Sequence, residues 1–205
     1  MVSEKHLRTS QNTVSNNMTS DRFWDWAKIE RDGEIFETDW VICKDGTLIN
    51  SVGNWASNKN KRSTYIRNNI QYKGKFYKMT RNRLVALSFV PNPRPDLFKL
   101  VDHIDRDTSN DHYKNLRWVN PELNALNTVS TSIKPQKNNK YPAAITFRKK
   151  KRFLGYYDTE QQAIKICNYV RNLCFETLYR YYTTKNNWAS PDEWKICKDC
   201  VYVRH

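Results

Sequence analysis

Apolar positions fall at changing intervals along the chain, and the intervals mark out its elements. Residues 40–50, WVICKDGTLIN, carry β-branched runs on either side of the Asp45–Gly46 turn pair, and residues 71–79, QYKGKFYKM, repeat that pattern around Gly74. Both segments predict short strands closing a small sheet or a pair of hairpins. In 80–90, TRNRLVALSFV, the apolar residues at 84, 85, 87, 89 and 90 follow a threonine and stop at PNPRP. That spacing predicts a short helix, since each proline biases its preceding residue away from helical geometry.

A strand is predicted at 99–104, a loop after it, and a second strand at 115–119. A helix then opens with Asn120 as cap, Pro121 in the first turn and Glu122 behind it. The order is strand, loop, strand, helix. Proline and asparagine in STSIKPQKNNK, residues 130–140, read as a linker, and the basic run that follows, 143–158, reads as a hairpin. Thr159 begins a last helix, with Gln162 at the capping-box position and apolar or aromatic residues at 163, 164, 166, 169, 170 and 173. Residues 1–20, rich in Ser, Thr and Asn without a period, predict a disordered arm.

Charge changes this picture from a fold to a partner. Thirty-five Lys and Arg oppose 21 Asp and Glu, a net +14 that favours a polyanion over a neutral small molecule. The excess sits in two windows without a single acid, Asp45 to Asp96 with ten basic residues and Glu122 to Asp158 with eight. Between them lies a mildly acidic block holding Asp96, Asp102, Asp105, Asp107, Asp111 and Glu122. Pure affinity for phosphates has no use for carboxylates there, whereas hydrolysis of a phosphodiester needs a hard cation and oxygen ligands to hold it. Asp107 and Asp111 are read more simply, as acids on a solvated turn. No apolar run approaches the roughly 20 residues of a membrane helix, and the polar start has no signal-peptide core, so no membrane partner and an intracellular setting, cytoplasm or nucleus, are expected.

Most of the acidic block falls within VDHIDRDTSNDHYKNLRWVNPELNALN, residues 101–127. Asp102 and His103 are adjacent on the first predicted strand, Asn115 starts the second, and Asn124 lies on the helix. Each has an ordinary alternative: an Asp–His pair can be a turn, and an Asn at a helix start can be a cap. Four together at this spacing, between two basic windows, point to a site. Asn127, one turn beyond Asn124, is read first as a helix-surface residue and second as a further ligand or DNA contact.

Asp102-His103-Ile104-Asp105, then Asn115-Leu116-Arg117-Trp118-Val119, then Pro121-Glu122-Leu123-Asn124 resemble the HNH endonucleases, in particular the homing type carried by phages and viruses. The likeness covers about residues 75–127, and departs from the family at Asn82, where histidine is frequent, and at Arg106-Asp107, where Gly-Asn is frequent. It implies an α+β protein with a ββα-metal nuclease core. It implies His103 as general base, a task suited to imidazole near neutral pH. It further implies Asn115 as the acceptor that fixes the other ring nitrogen, and Asp102 and Asn124 as ligands of one Mg²⁺, with Mn²⁺ as substitute. Arg81, Arg83 and Arg117 are read as DNA contacts. The rival reading is a DNA-binding regulator that keeps this shell without cutting; an RNA-binding module is a second.

Residues 147–176, with Leu154-Gly155-Tyr156-Tyr157-Asp158-Thr159, resemble the plant APETALA-type DNA-binding domain, although the usual Trp and Gly of its first strand are missing. Arg148, Lys149, Lys150, Lys151 and Arg152 would meet phosphates or guanine edges. The expected organisation is a 1–20 arm, a 21–79 strand-rich basic region, an 80–129 nuclease core, a 130–140 linker and a 141–205 DNA-binding module with its tail. Double-stranded DNA is the expected substrate, cut site-selectively in the service of a mobile element. With one Asp-His, Asn, Asn set and no heptad seam, a monomer that nicks is expected. Five cysteines give no disulfide framework, and the Cys197–Cys200 pair could join a zinc site only with Cys167 and Cys174; free thiols are the preferred reading.

Overall fold

A computed structural model of the chain describes residues 24–56, 65–136 and 138–184, and beyond them the strands Glu193–Ile196 and Val201–Arg204. The arm at 1–20 and the Cys197–Cys200 pair lie outside the described residues. The described elements are α+β: small antiparallel sheets and short helices, with one long helix toward the end. Two compact units form, Met1–Pro91 with His103–Arg117, and Asn92–Asp102 with Trp118–His205.

In the first unit, β1 (Trp24–Arg31), β2 (Glu34–Cys43) and β3 (Leu48–Ile49) form one antiparallel sheet in that order. Asp32 and Gly33 join β1 to β2 with φ of 52° and 85°, the two left-handed positions that let a two-residue turn match the twist of its strands. The sequence pattern placed strands only from Trp40 onward, yet Asp32–Gly33 is the same kind of signal as Asp45–Gly46. Ala27, Ile29, Ile42, Cys43, Leu48 and Ile49 supply the buried face. A second hairpin, β4 (Arg67–Tyr72) and β5 (Lys75–Thr80), turns at Lys73–Gly74 and runs directly into α1 (Arg81–Phe89). Leu84, Val85 and Ala86 are fully buried on this helix. An Arg83–Glu30 ion pair and a Ser88 Oγ–Trp26 carbonyl bond of 3.3 Å secure it to β1.

The predicted strand, loop, strand, helix unit is present. It consists of β6 (Leu100–His103), a 3-10 turn at Tyr113–Asn115, β7 (Leu116–Val119) paired with β6, and α2 (Pro121–Leu126). The Asn120 side chain accepts from the Leu123 N–H at 2.9 Å, the expected cap. Asp102 belongs to the second unit and its neighbour His103 to the first.

The rest of the second unit is built on one helix. β8 (Tyr141–Phe147) and β9 (Lys150–Tyr157) pair antiparallel, and α3 (Glu160–Thr184) follows. Thr159 and Gln162 form a reciprocal capping box, each backbone N–H bonded to the other's side chain at 3.3 Å. Ala163, Cys167, Val170, Cys174 and Leu178 make a fully buried stripe at helical spacing, packed on β8 with Ala143, Ile145 and Phe147. Cys167 and Cys174 are therefore core thiols, and burial pushes the Cys174 thiol up to about 12. The stretch read as a linker is fastened to α3: the N–H groups of Ser130 and Ile133 donate to Asn168 and Glu160 at 2.8 Å each. Arg94, 7% exposed, forks onto Asp96 and donates to the Tyr182 carbonyl at 2.7 Å, while Phe98 stacks on Tyr179. Among the described residues no helix is long and apolar enough to cross a membrane.

The β8–β9 turn is made by Arg148 and Lys149 with φ of 51° and 61° and no glycine. A side chain in this region costs energy that glycine does not. Replacing Lys149 with Gly should therefore stabilise the second unit by about 0.5–1 kcal/mol, seen as a higher midpoint in thermal or urea unfolding.

Candidate functional site

His103 lies in the first unit. His103 ends β6 with 3% of its surface exposed, and its Nε2 lies 2.8 Å from Oδ1 of Asp111, itself 5% exposed. The Tyr65 ring packs beside the imidazole, centroids 5.8 Å apart. Asp111 is thus no turn decoration, and it holds the place the sequence reading assigned to Asn115. Asn115 serves the loop instead. Its Oδ1 accepts from the Asp105 N–H at 3.0 Å, and its Nδ2 donates to Asp105 Oδ1 and to the Asn110 carbonyl, both at 2.8 Å. With its amide spent on these groups, it is committed to holding residues 105–110.

That loop is tight without the family's glycine. Arg106 takes a left-handed φ of 69°, its N–H bonded back to the His103 carbonyl at 3.0 Å. Partial desolvation works to raise the Asp105 carboxyl, but donation from Asn110, Asn115 and the Asp107 N–H outweighs it and leaves its pKa below the ordinary value.

Asp102, Asn124 and Asn127 lie in the second unit. Asp102 is 8% exposed, and Asn127 Nδ2 donates to both its carboxylate oxygens at 2.9 Å. Asn127 is the C-cap of α2, and this contact is one that periodicity, which placed it on the helix surface, could not find. Asn124 is exposed on the same helix. Among the described residues no three His, Cys, Asp or Glu side chains converge as a metal cluster.

The basic residues divide sharply. Arg81 is 1% exposed: its Nε donates to Asn68 Oδ1 at 3.0 Å and its Nη1 to the Gly46 carbonyl, so no edge is offered to a phosphate. Burial lowers its pKa from the ordinary value, with the charges of Asp111 and Asp45 opposing that shift. Arg83 is paired with Glu30, and Arg148 lies 2.5 Å from Glu122 and over the Phe147 ring. Arg117 and Arg152 are half-buried. Lys149, Lys150 and Lys151 are exposed, beside an exposed aromatic pair, Phe153 and Tyr156, with centroids 4.9 Å apart.

No protein-family model matches the chain. Two proteins of Acanthamoeba polyphaga mimivirus, each described as an uncharacterized HNH endonuclease, are similar to it. One is 27% identical over 96 residues, 46% of this chain and 28% of its own length. The other is 38% identical over 52 residues, 25% of this chain and 13% of its own. The chain therefore spans well under a third of the curated relatives it matches. Among solved structures, the HNH homing endonuclease I-HmuI, in work on its binding and cleavage of DNA, is similar with 21% identity and a TM-score of 0.43, over 77% of this chain and 90% of that one.

Because Arg81 is buried among fixed partners, Arg81→Ala should act on stability. A loss of about 2–4 kcal/mol is expected, with DNA affinity of the folded fraction unchanged; calorimetry and fluorescence anisotropy on the same samples distinguish the two effects.

Proposed function

We propose that the protein is a metal-dependent endonuclease of the HNH type that hydrolyses phosphodiester bonds of double-stranded DNA, with His103 as general base. The observation that carries this reading is a strand that ends on Asp102 and His103, the imidazole buried with one ring nitrogen held by a carboxylate, followed by a capped helix bearing Asn124. The two mimivirus relatives support it by their descriptions, and the basic windows favour a polyanionic substrate. A site-selective, homing-type role is the finer part of the same proposal.

In this reading His103 takes a proton from water as the water oxygen bonds to phosphorus. The P–O bond in line with the attack breaks, and the leaving oxygen takes a proton from solvent. Asp102 and Asn124 offer a carboxylate and an amide oxygen, a donor set suited to Mg²⁺ and tolerant of Mn²⁺. A cation held there would offset charge on the leaving oxygen. Asn127 donates to both oxygens of Asp102 and would orient that carboxylate toward a cation. Asn115 contributes through the loop it ties. The exposed Lys149–Lys151 run and the Phe153–Tyr156 pair would meet the backbone and base edges of the duplex.

Incubation with supercoiled plasmid in Mg²⁺, Mn²⁺ or chelator tests the proposal. His103→Ala should slow cutting by about 10²–10⁴-fold with binding retained, and Asp102→Ala or Asn124→Ala should move the metal titration. Open circles are expected before linear DNA, as one catalytic set cuts one strand per encounter. A His103→Ala protein that cuts at the parent rate would refute the assignment.

Alanine at Lys149, Lys150 and Lys151 together should flatten the salt dependence of binding by roughly 0.9 in log–log slope per lost phosphate contact. Titrations at several salt concentrations measure it; an unchanged slope removes this turn from the interface.

A further inference from the structure

We propose that Asp111 is the positioning residue of His103, and that Gly46 and Arg81 form a buried support that keeps it in place. The proposal rests on the reading of His103 as general base. An imidazole has two neutral tautomers, and a general base works only in the one whose bare nitrogen faces the water it must deprotonate. Asp111 bears on that choice because an ionised carboxylate is an acceptor only. With Asp111 Oδ1 as acceptor at 2.8 Å, Nε2 would carry the hydrogen and Nδ1 would be the basic nitrogen. Both side chains are almost fully buried, which makes the bond directional and holds the ring plane.

The support behind Asp111 is equally specific. The Tyr113 N–H donates to the Lys44 carbonyl at 2.8 Å, fastening the segment that carries Asp111 to the turn between β2 and β3. In that turn Gly46 has φ of 87°, and a Cβ added to it would lie 2.9 Å from the Asp111 Cβ. Asp111 thus packs against the turn at a position only glycine can fill without displacement. Arg81 donates to the Gly46 carbonyl from below, and its charge attracts Asp111.

Packing alone does not account for this carboxylate. Oδ2 of Asp111 is buried without a hydrogen bond among the described residues. Such an oxygen is costly to a fold, yet removing the carboxylate alone would leave the buried Nε2 without its acceptor. What Asp111 does that an apolar residue cannot is accept from Nε2.

The test uses the full chain, supercoiled plasmid and Mg²⁺, with single-turnover cutting, DNA affinity, thermal midpoint and the ¹⁵N resonances of the His103 ring read together. Asp111→Ala should cut about 10–100-fold more slowly with DNA affinity unchanged, and its His103 should show mixed tautomers where the parent shows Nε2 protonated. Asp111→Asn, whose amide can donate to Nε2 as well as accept from it, should stay slow and shift His103 toward the tautomer protonated on Nδ1. Gly46→Ala, which pushes on Asp111 from outside the site, should lose rate and tautomer preference together, and it serves if Asp111→Ala does not fold. The proposal is overturned if Asp111→Ala or Gly46→Ala keeps the parent tautomer, or if Asp111→Asn keeps both the parent rate and the parent tautomer. It is also overturned if Asp111→Ala cuts at the parent rate while His103→Ala is inactive. Parent-rate cutting by His103→Ala would instead show that the general-base reading itself has failed.

Discussion

A carboxylate removed from water calls for donors or positive charge, and several elements of the first unit bring such groups toward Asp111, whose Oδ2 is nonetheless left without a hydrogen bond among the described residues. His103 Nε2 meets it on one side, while Arg81 attracts it and grips the turn packed against it. Arg81 is in turn the first residue of α1 and is bonded to Asn68 on β4, so the hairpin, the helix and the β2–β3 turn all converge on the same buried charge. A basic residue that composition alone would count toward a DNA surface is thereby consumed inside the protein.

The second unit solves a different problem. Its ribbon of two strands is too small to bury an apolar face by itself, and α3 supplies the missing layer with a stripe of small and medium side chains. Arg94 ties the segment preceding β6 to the far end of that helix through Tyr182, and Tyr182 also donates to Glu122 at the start of α2. Glu122 receives Arg148 from the ribbon turn. The position of α2, and with it of Asn124 and Asn127, therefore rests on polar ties at both ends of the ribbon–helix layer.

The same ties sort the basic charge. Arginine, with its planar fork, goes to fixed internal pairs at 81, 83, 94 and 148, while lysines at 149, 150 and 151 stay in water. This division follows from chemistry: a guanidinium can satisfy several acceptors at once when buried, whereas an ammonium is more strongly hydrated and costs more to remove from solvent.

Local signals determined much of this protein directly. Asp45–Gly46 and Gly74 marked turns, Asn120-Pro121 and Thr159-Gln162 marked helix starts, and each is where short-range geometry dictates it, because caps and tight turns involve residues only two or three apart. The spacing of Asp102, His103, Asn115 and Asn124 likewise marked a candidate site within one strand, strand, helix unit. Tertiary structure decided which of the neighbouring polar residues partner one another. Asp111 rather than Asn115 meets the histidine, Asn127 holds Asp102, and Arg81 is buried while Lys149 is not. Those outcomes depend on how far a segment is desolvated and on groups tens of residues away, such as Gly46 for Asp111 and Glu30 for Arg83. No local pattern encodes that, since the sequence spacing of a polar side chain states which face it shares and leaves open what that face is packed against.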